Sequence, residues 1–224
     1  MKLKYIVLPL VSLSLLAACG ATEEPTQKEA QQSQTETEEQ ASTHKEQQAL
    51  QAETFFAKDG AQLHYRGEGS EFATLDVEVK HLSPNFVALY TSNGGSYVES
   101  IYTVKDEKVI LLNEQVLDTE EHPQWTKEQL EALTGEVIID LQAPTGTTFT
   151  FNDNTFRLTE KEITLETAYG KIENVYVLFN DEKEDFRTWL YYSPGIGLVK
   201  HHDEMDVEDS DEPFTVISEL ESIQ

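Results

Sequence analysis

From residue 73 onward the apolar positions recur at every second residue. Ala73, Leu75, Val77 and Val79 alternate with Thr74, Asp76, Glu78 and Lys80, which predicts a strand with one wet face. Ser83-Pro84-Asn85 interrupts that pattern and Phe86 to Ser92 resumes it. Asn93-Gly94-Gly95 predicts a tight turn, because glycine accepts positive φ. Tyr97 to Lys105 and Lys108 to Leu112 follow as strands joined at Asp106-Glu107, so this half reads as an antiparallel meander.

The middle of the chain changes period. Thr126-Lys127-Glu128-Gln129 has capping-box spacing, in which the Thr126 hydroxyl accepts the Gln129 N–H and the Gln129 side chain reaches back. Leu130 and Leu133 give a short helix its inward stripe, and Gly135 is expected to close it. Period two then returns. Strands are predicted from Val137, over Thr147 to Phe151, Thr155 to Ala168, Ile172 to Phe179 and Phe186 to Tyr192, then Ile196 to His201 and Phe214 to Leu220. Long helical patterns between strands are missing. The expectation is an all-β, mainly antiparallel domain: a curved sheet or half-barrel with one or two short helices, over residues 54–224.

The N-terminal segment obeys a different rule. Lys2 and Lys4 precede an apolar run from Tyr5 to Ala18, the layout of a secretory signal peptide and too short for a comfortable bilayer span. The run ends in Leu16-Ala17-Ala18-Cys19, which resembles a bacterial lipobox. That resemblance implies cleavage after residue 18 and a diacylglyceryl group on the Cys19 thiol. Two acyl chains, at about 0.8 kcal/mol per buried CH₂, hold a protein stably where one does not. The expected location is the extracytoplasmic face of the cell membrane, with the membrane as partner through this anchor. Cys19 is the sole cysteine, so the mature chain has no disulfide, thiolate metal site or cysteine nucleophile.

Residues 19–53 form the expected tether. Between Gly20 and Glu53 there is no aromatic residue and one large aliphatic, Leu50. A chain so poor in apolar surface cannot offset the entropy of folding, so disorder is expected, with a mean span of roughly 30 Å. His44 to Phe56 carries some helix-compatible residues and is read as a docking helix.

Charge narrows the partners. The net charge is −26, from 42 acidic and 16 basic residues. Such a polyanion is repelled by nucleic acid and by anionic head groups, and its surface charge keeps molecules apart in solution.

In the second half, Asp140 to Phe151, Thr167 to Val175 and Trp189-Leu190-Tyr191-Tyr192-Ser193-Pro194-Gly195-Ile196-Gly197-Leu198-Val199-Lys200 resemble a group of Gram-positive bacterial lipoproteins of unassigned function. Their hallmark is a Tyr-Tyr-Ala-Pro-Gly-Val-Gly-Leu-Val-Lys-like segment, from which Ser193 and Ile196 depart mildly. The resemblance implies a curved antiparallel sheet around a helix or cavity. It carries no catalytic residues with it.

Candidate chemistry is sparse. Ser193-Pro194-Gly195-Ile196-Gly197 lies between strand patterns with no following helix, so it reads as a hairpin rather than a phosphate loop. His201 and His202 would point to opposite faces of a strand, and the run 203–212 lacks the glycine and terminal glutamate spacing of an EF-hand. No metal site and no cofactor follow, and the hydrolase, metalloprotease and nucleotide-binding signatures are missing, so the chain is read as a non-enzyme. The remaining candidates are Trp189, Tyr191 and Tyr192, with Trp189 and Tyr191 on one face and Leu190 and Tyr192 on the other. A strand apolar on both faces is central, or stands beside a cavity. Two readings stay open: a β-domain that binds a hydrophobic ligand, glycan or cell-envelope protein, and a surface-interaction lipoprotein with a filled core.

Overall fold

The computed structural model describes residues 50–208, 210 and 212–224. The signal segment, Cys19 and the spacer as far as residue 49 lie outside them. The first meander comprises α1 (Ala52–Phe55), β1 (Gln62–Glu68), β2 (Leu75–Ser83), β3 (Phe86–Ser92), β4 (Tyr97–Lys105) and β5 (Lys108–Val116). Next come α2 (Lys127–Ala132), β6 (Glu136–Asp140), β7 (Thr148–Phe151) and β8 (Asn154–Thr167). The chain ends with β9 (Gly170–Lys183), β10 (Phe186–Ser193), β11 (Gly197–Met205) and β12 (Phe214–Ile223). The domain is therefore all-β with two short helices, as the alternating pattern predicts.

Two meanders, β1 to β6 and β7 to β12, are zipped together by antiparallel pairing of β1 with β12. The result is one twelve-stranded sheet curled into a nearly closed barrel, with β6 and β7 side by side at the seam but without a ladder. Side chains bridge the gap: Glu136 Oε2 accepts the Asn152 backbone N–H at 2.9 Å, and Glu114 Oε1 accepts from Asn152 Nδ2 at 3.1 Å. β1 is the strand the local pattern does not predict. It is short, rich in polar residues and ends in Gly67-Glu68, yet it joins the halves of the molecule.

Two other expectations are corrected. Leu133, not Gly135, caps α2, with extended backbone. Gly135 is needed for space instead: a Cβ there would lie 2.1 Å from the Leu111 carbonyl oxygen. The expected capping box is present, with Thr126 and Gln129 in reciprocal hydrogen bonds of 3.3 and 2.8 Å. The docking segment is the single turn α1; Ala52 is fully buried and Leu50 packs on the core, so the folded part reaches a few residues before residue 54.

Alternating strand direction gives the barrel two ends. The turns 84–85, 106–107 and 194–196 lie at one end, which α1 plugs: Glu53 N–H donates to the Pro84 carbonyl at 3.3 Å, and Gly195 N–H to that of Phe55 at 2.8 Å. Eight strands make a barrel that side chains just fill, so twelve leave interior space that a plug or a ligand must occupy. The connection 117–135 does not reach the interior. It folds over the outside of β3 and β4, where Leu130 and Trp125 pack on Ala88, Tyr90 and Ile101. Both faces of β3 are consequently buried.

Candidate functional site

Inside the barrel the alternation of β10 aims Thr188, Leu190 and Tyr192 inward, and its ladder partners fall in the same rows: Asp203, His201 and Leu198 on β11, Asn180, Leu178 and Tyr176 on β9. The inner wall is thus polar near the open end and apolar deeper down. Two cavities follow that division.

The apolar cavity is about 290 Å³. Its walls are Leu75 and Val77 on β2, Leu89 on β3, Val98 on β4 and Leu198 on β11, and Phe56 of the plug forms its floor. Three tyrosines enter it, Tyr65, Tyr102 and Tyr192. Burial drives all three hydroxyls above the ordinary tyrosine range, so they stay protonated. Tyr65 Oη donates to the Leu198 carbonyl at 2.6 Å, whereas the Tyr192 hydroxyl has no hydrogen-bond partner among the described residues. Ser100 and Glu114 add a polar edge, joined by a 3.0 Å hydrogen bond from Ser100 Oγ. The space is far more than one water needs and sits at the small end of ligand sites.

The second cavity, about 320 Å³, lies between β7–β8 and β10–β11. Phe151 and Phe156 stack at 4.7 Å to form its apolar side. Opposite, Asp203 Oδ1 accepts from Thr188 Oγ1 at 2.7 Å and pairs with His201 Nε2 at 3.1 Å. Burial pushes the Asp203 carboxyl up, but the hydrogen bond and charge of His201 and the hydrogen bond from Thr188 outweigh it and hold the pKa below its ordinary value. A depressed pKa makes Asp203 stabilising above the unfolded value of about 3.9, and that stabilisation is lost as pH falls through the folded value. The stability gap between wild type and Asp203→Asn is therefore expected to be full at pH 7 and to close below about pH 4, as read by urea unfolding across pH. The sequence expects the strand to stop at His201; it continues to Met205, which places Asp203 inside the barrel.

The sequence candidates separate. Tyr192 lines the apolar cavity. Trp189 lies on the outer face, its ring 4.8 Å from Phe179 and 4.9 Å from His202, with Arg157 5.6 Å from the Phe179 ring. These rings face one another across neighbouring strands, so Trp189 spends its faces on the ladder rather than on a ligand. Tyr191 is also outside, 6.0 Å from Lys200 Nζ. His201 and His202 point apart, inward and outward. Burial lowers the His202 pKa, and its Nε2 lies 3.5 Å from Glu204 Oε1 without a hydrogen bond. Among the described residues no group of three or more His, Cys, Asp and Glu is arranged to hold a metal ion. Phe56, Tyr65 and Tyr102 went unmarked in the sequence because each sits on a different element, far from Tyr192 in the chain.

No protein-family model matches this chain, and no curated protein or solved structure matches it.

Proposed function

We propose that this is a lipoprotein held on the extracytoplasmic face of the cell membrane through Cys19, with a non-catalytic barrel that binds a small, mainly apolar ligand bearing one hydrogen-bonding end. The observation that carries the reading is the apolar cavity: aliphatic walls, an aromatic floor, and protonated tyrosine hydroxyls converging from three strands. That mixture suits a ligand whose apolar body is desolvated while one polar group is fixed in place. The Tyr192 hydroxyl, which lines the cavity, supplies a donor for it. The signal layout and Leu-Ala-Ala-Cys support export and anchoring.

Leu89→Trp tests the reading. The indole would occupy the cavity from β3, and the chain from Gly20 to Gln224 is expected to lose at least about tenfold in affinity for a fluorescent medium-chain fatty acid while keeping its unfolding midpoint. Equal affinity in wild type and variant would move binding off this cavity and favour a surface-interaction lipoprotein.

A further inference from the structure

The barrel's two ends differ in charge and in apolar exposure. At the end away from the plug, the described residues of the connections 69–74, 93–96, 152–153, 184–185 and 206–213 carry seven Asp and Glu and no Lys or Arg. The connection 117–135, which leaves the same end, adds five Asp and Glu against Lys127. At the plugged end, the turns 84–85, 106–107, 141–147, 168–169 and 194–196 carry two, Asp106 and Glu107. The large exposed hydrophobics follow the same division. Phe72, Val116, Met205, Val207 and Phe214 all stand at the acidic end, 45–70% exposed, and Tyr169 alone at the other.

These side chains form an arc rather than a scatter. Met205 and Phe214 are ladder partners at the ends of β11 and β12. The connection 69–74 packs directly on the next residue, since a Cβ on Gly69 would meet the Thr215 carbonyl oxygen. That same connection lays the Phe72 ring on Gly95, and Gly95 shares a surface depression with Val116. The arc thus runs along β11, β12, the β1–β2 connection, the β3–β4 turn and the end of β5. Exposed apolar side chains gathered at one end and surrounded by charge are the mark of a contact surface.

We propose that this rim docks a cationic protein segment that carries apolar side chains among its lysines and arginines. Charge selects the partner. Arg187 pairs with Asp206 at 2.6 Å. The acidic excess that remains repels anionic lipid and nucleic acid, attracts a basic segment and speeds its encounter, while Phe72, Phe214 and Met205 supply the desolvated contact that holds it. The proposal goes beyond the ligand reading, because the rim would bind with the cavity empty or filled.

The test uses the Gly20–Gln224 chain and three probes: a lysine–leucine amphipathic peptide, polylysine of equal charge, and phosphatidylcholine–phosphatidylglycerol vesicles. The amphipathic peptide is expected to bind at least about tenfold tighter than polylysine. The double variant Phe72→Ser, Phe214→Ser should erase that difference, and Val116→Ser, at the most exposed of these positions, should reduce it, with the unfolding midpoints unchanged. Equal binding of the two peptides by wild type, an undiminished preference in the folded variants, or binding to the vesicles in place of the peptide would overturn the proposal. Leu89→Trp should leave peptide binding intact, which separates failure of the rim from failure of the cavity.

Discussion

Glu99→Ala is expected to destabilise the domain by about 3–5 kcal/mol in equilibrium urea unfolding. Glu99 is fully buried between β4 and the connection 117–135. Its Oε1 accepts from Tyr90 Oη at 3.0 Å and Trp125 Nε1 at 3.1 Å, and its Oε2 from Gln115 Nε2 at 2.7 Å. Tyr90 Oη is buried and Trp125 Nε1 half-buried, and each costs about 1–3 kcal/mol when its acceptor is lost, whereas the exposed Gln115 turns to water. The two share one acceptor atom, so their losses combine less than additively. His122 adds a lid: its ring stacks on Tyr90 at 3.7 Å and its Nε2 meets Tyr97 Oη at 3.0 Å. Glu99→Gln keeps one acceptor and should lose markedly less. A loss below about 1 kcal/mol for the alanine variant would mean that Leu130 packing alone holds the connection down.

Phe56→Ala carries the second large effect, about 3–5 kcal/mol of stability, because it deletes a buried aromatic at a site unable to collapse. The Phe56 ring is 5.1 Å from Phe55 and 4.9 Å from Tyr102. Beneath it Gly197 has φ +95°, and a Cβ there would be 2.8 Å from Phe56 Cδ1. The ring is therefore enclosed on several sides while one side faces the cavity. Its removal deepens the cavity toward the plug, so the variant should take longer-chain ligands than wild type, read by competition among fatty acids of increasing length. Unchanged selectivity would show that ligands do not reach this floor.

Much of the strand order was legible because local chemistry fixes it. The predicted and observed bounds coincide for Phe86 to Ser92 and Tyr97 to Lys105, where Pro84-Asn85, Asn93-Gly94-Gly95 and Asp106-Glu107 set the turns. Asp106 and Glu107 both take positive φ, 51° and 59°, in keeping with a tight two-residue connection. What escaped was long-range. β1 gains its role by pairing with β12, some 150 residues away, and nothing in Gln62-Leu63-His64-Tyr65 announces that partner. Glu99 lies on the outer face of β4, and only the folded-over connection makes that face a second core. The candidate site divided in the same way. The alternation of β10 was readable, but not which face meets the interior. That depends on barrel closure, and it assigns Tyr192 to the cavity and Trp189 to the outer ladder.

Native mass spectrometry of the Gly20–Gln224 chain, expressed in a bacterium and purified without detergent, tests the cavity reading most directly. A discrete excess mass that solvent extraction recovers as an apolar small molecule, and that Leu89→Trp lacks, is the predicted result. A wild-type chain of bare sequence mass that also fails to take up added fatty acid would contradict it.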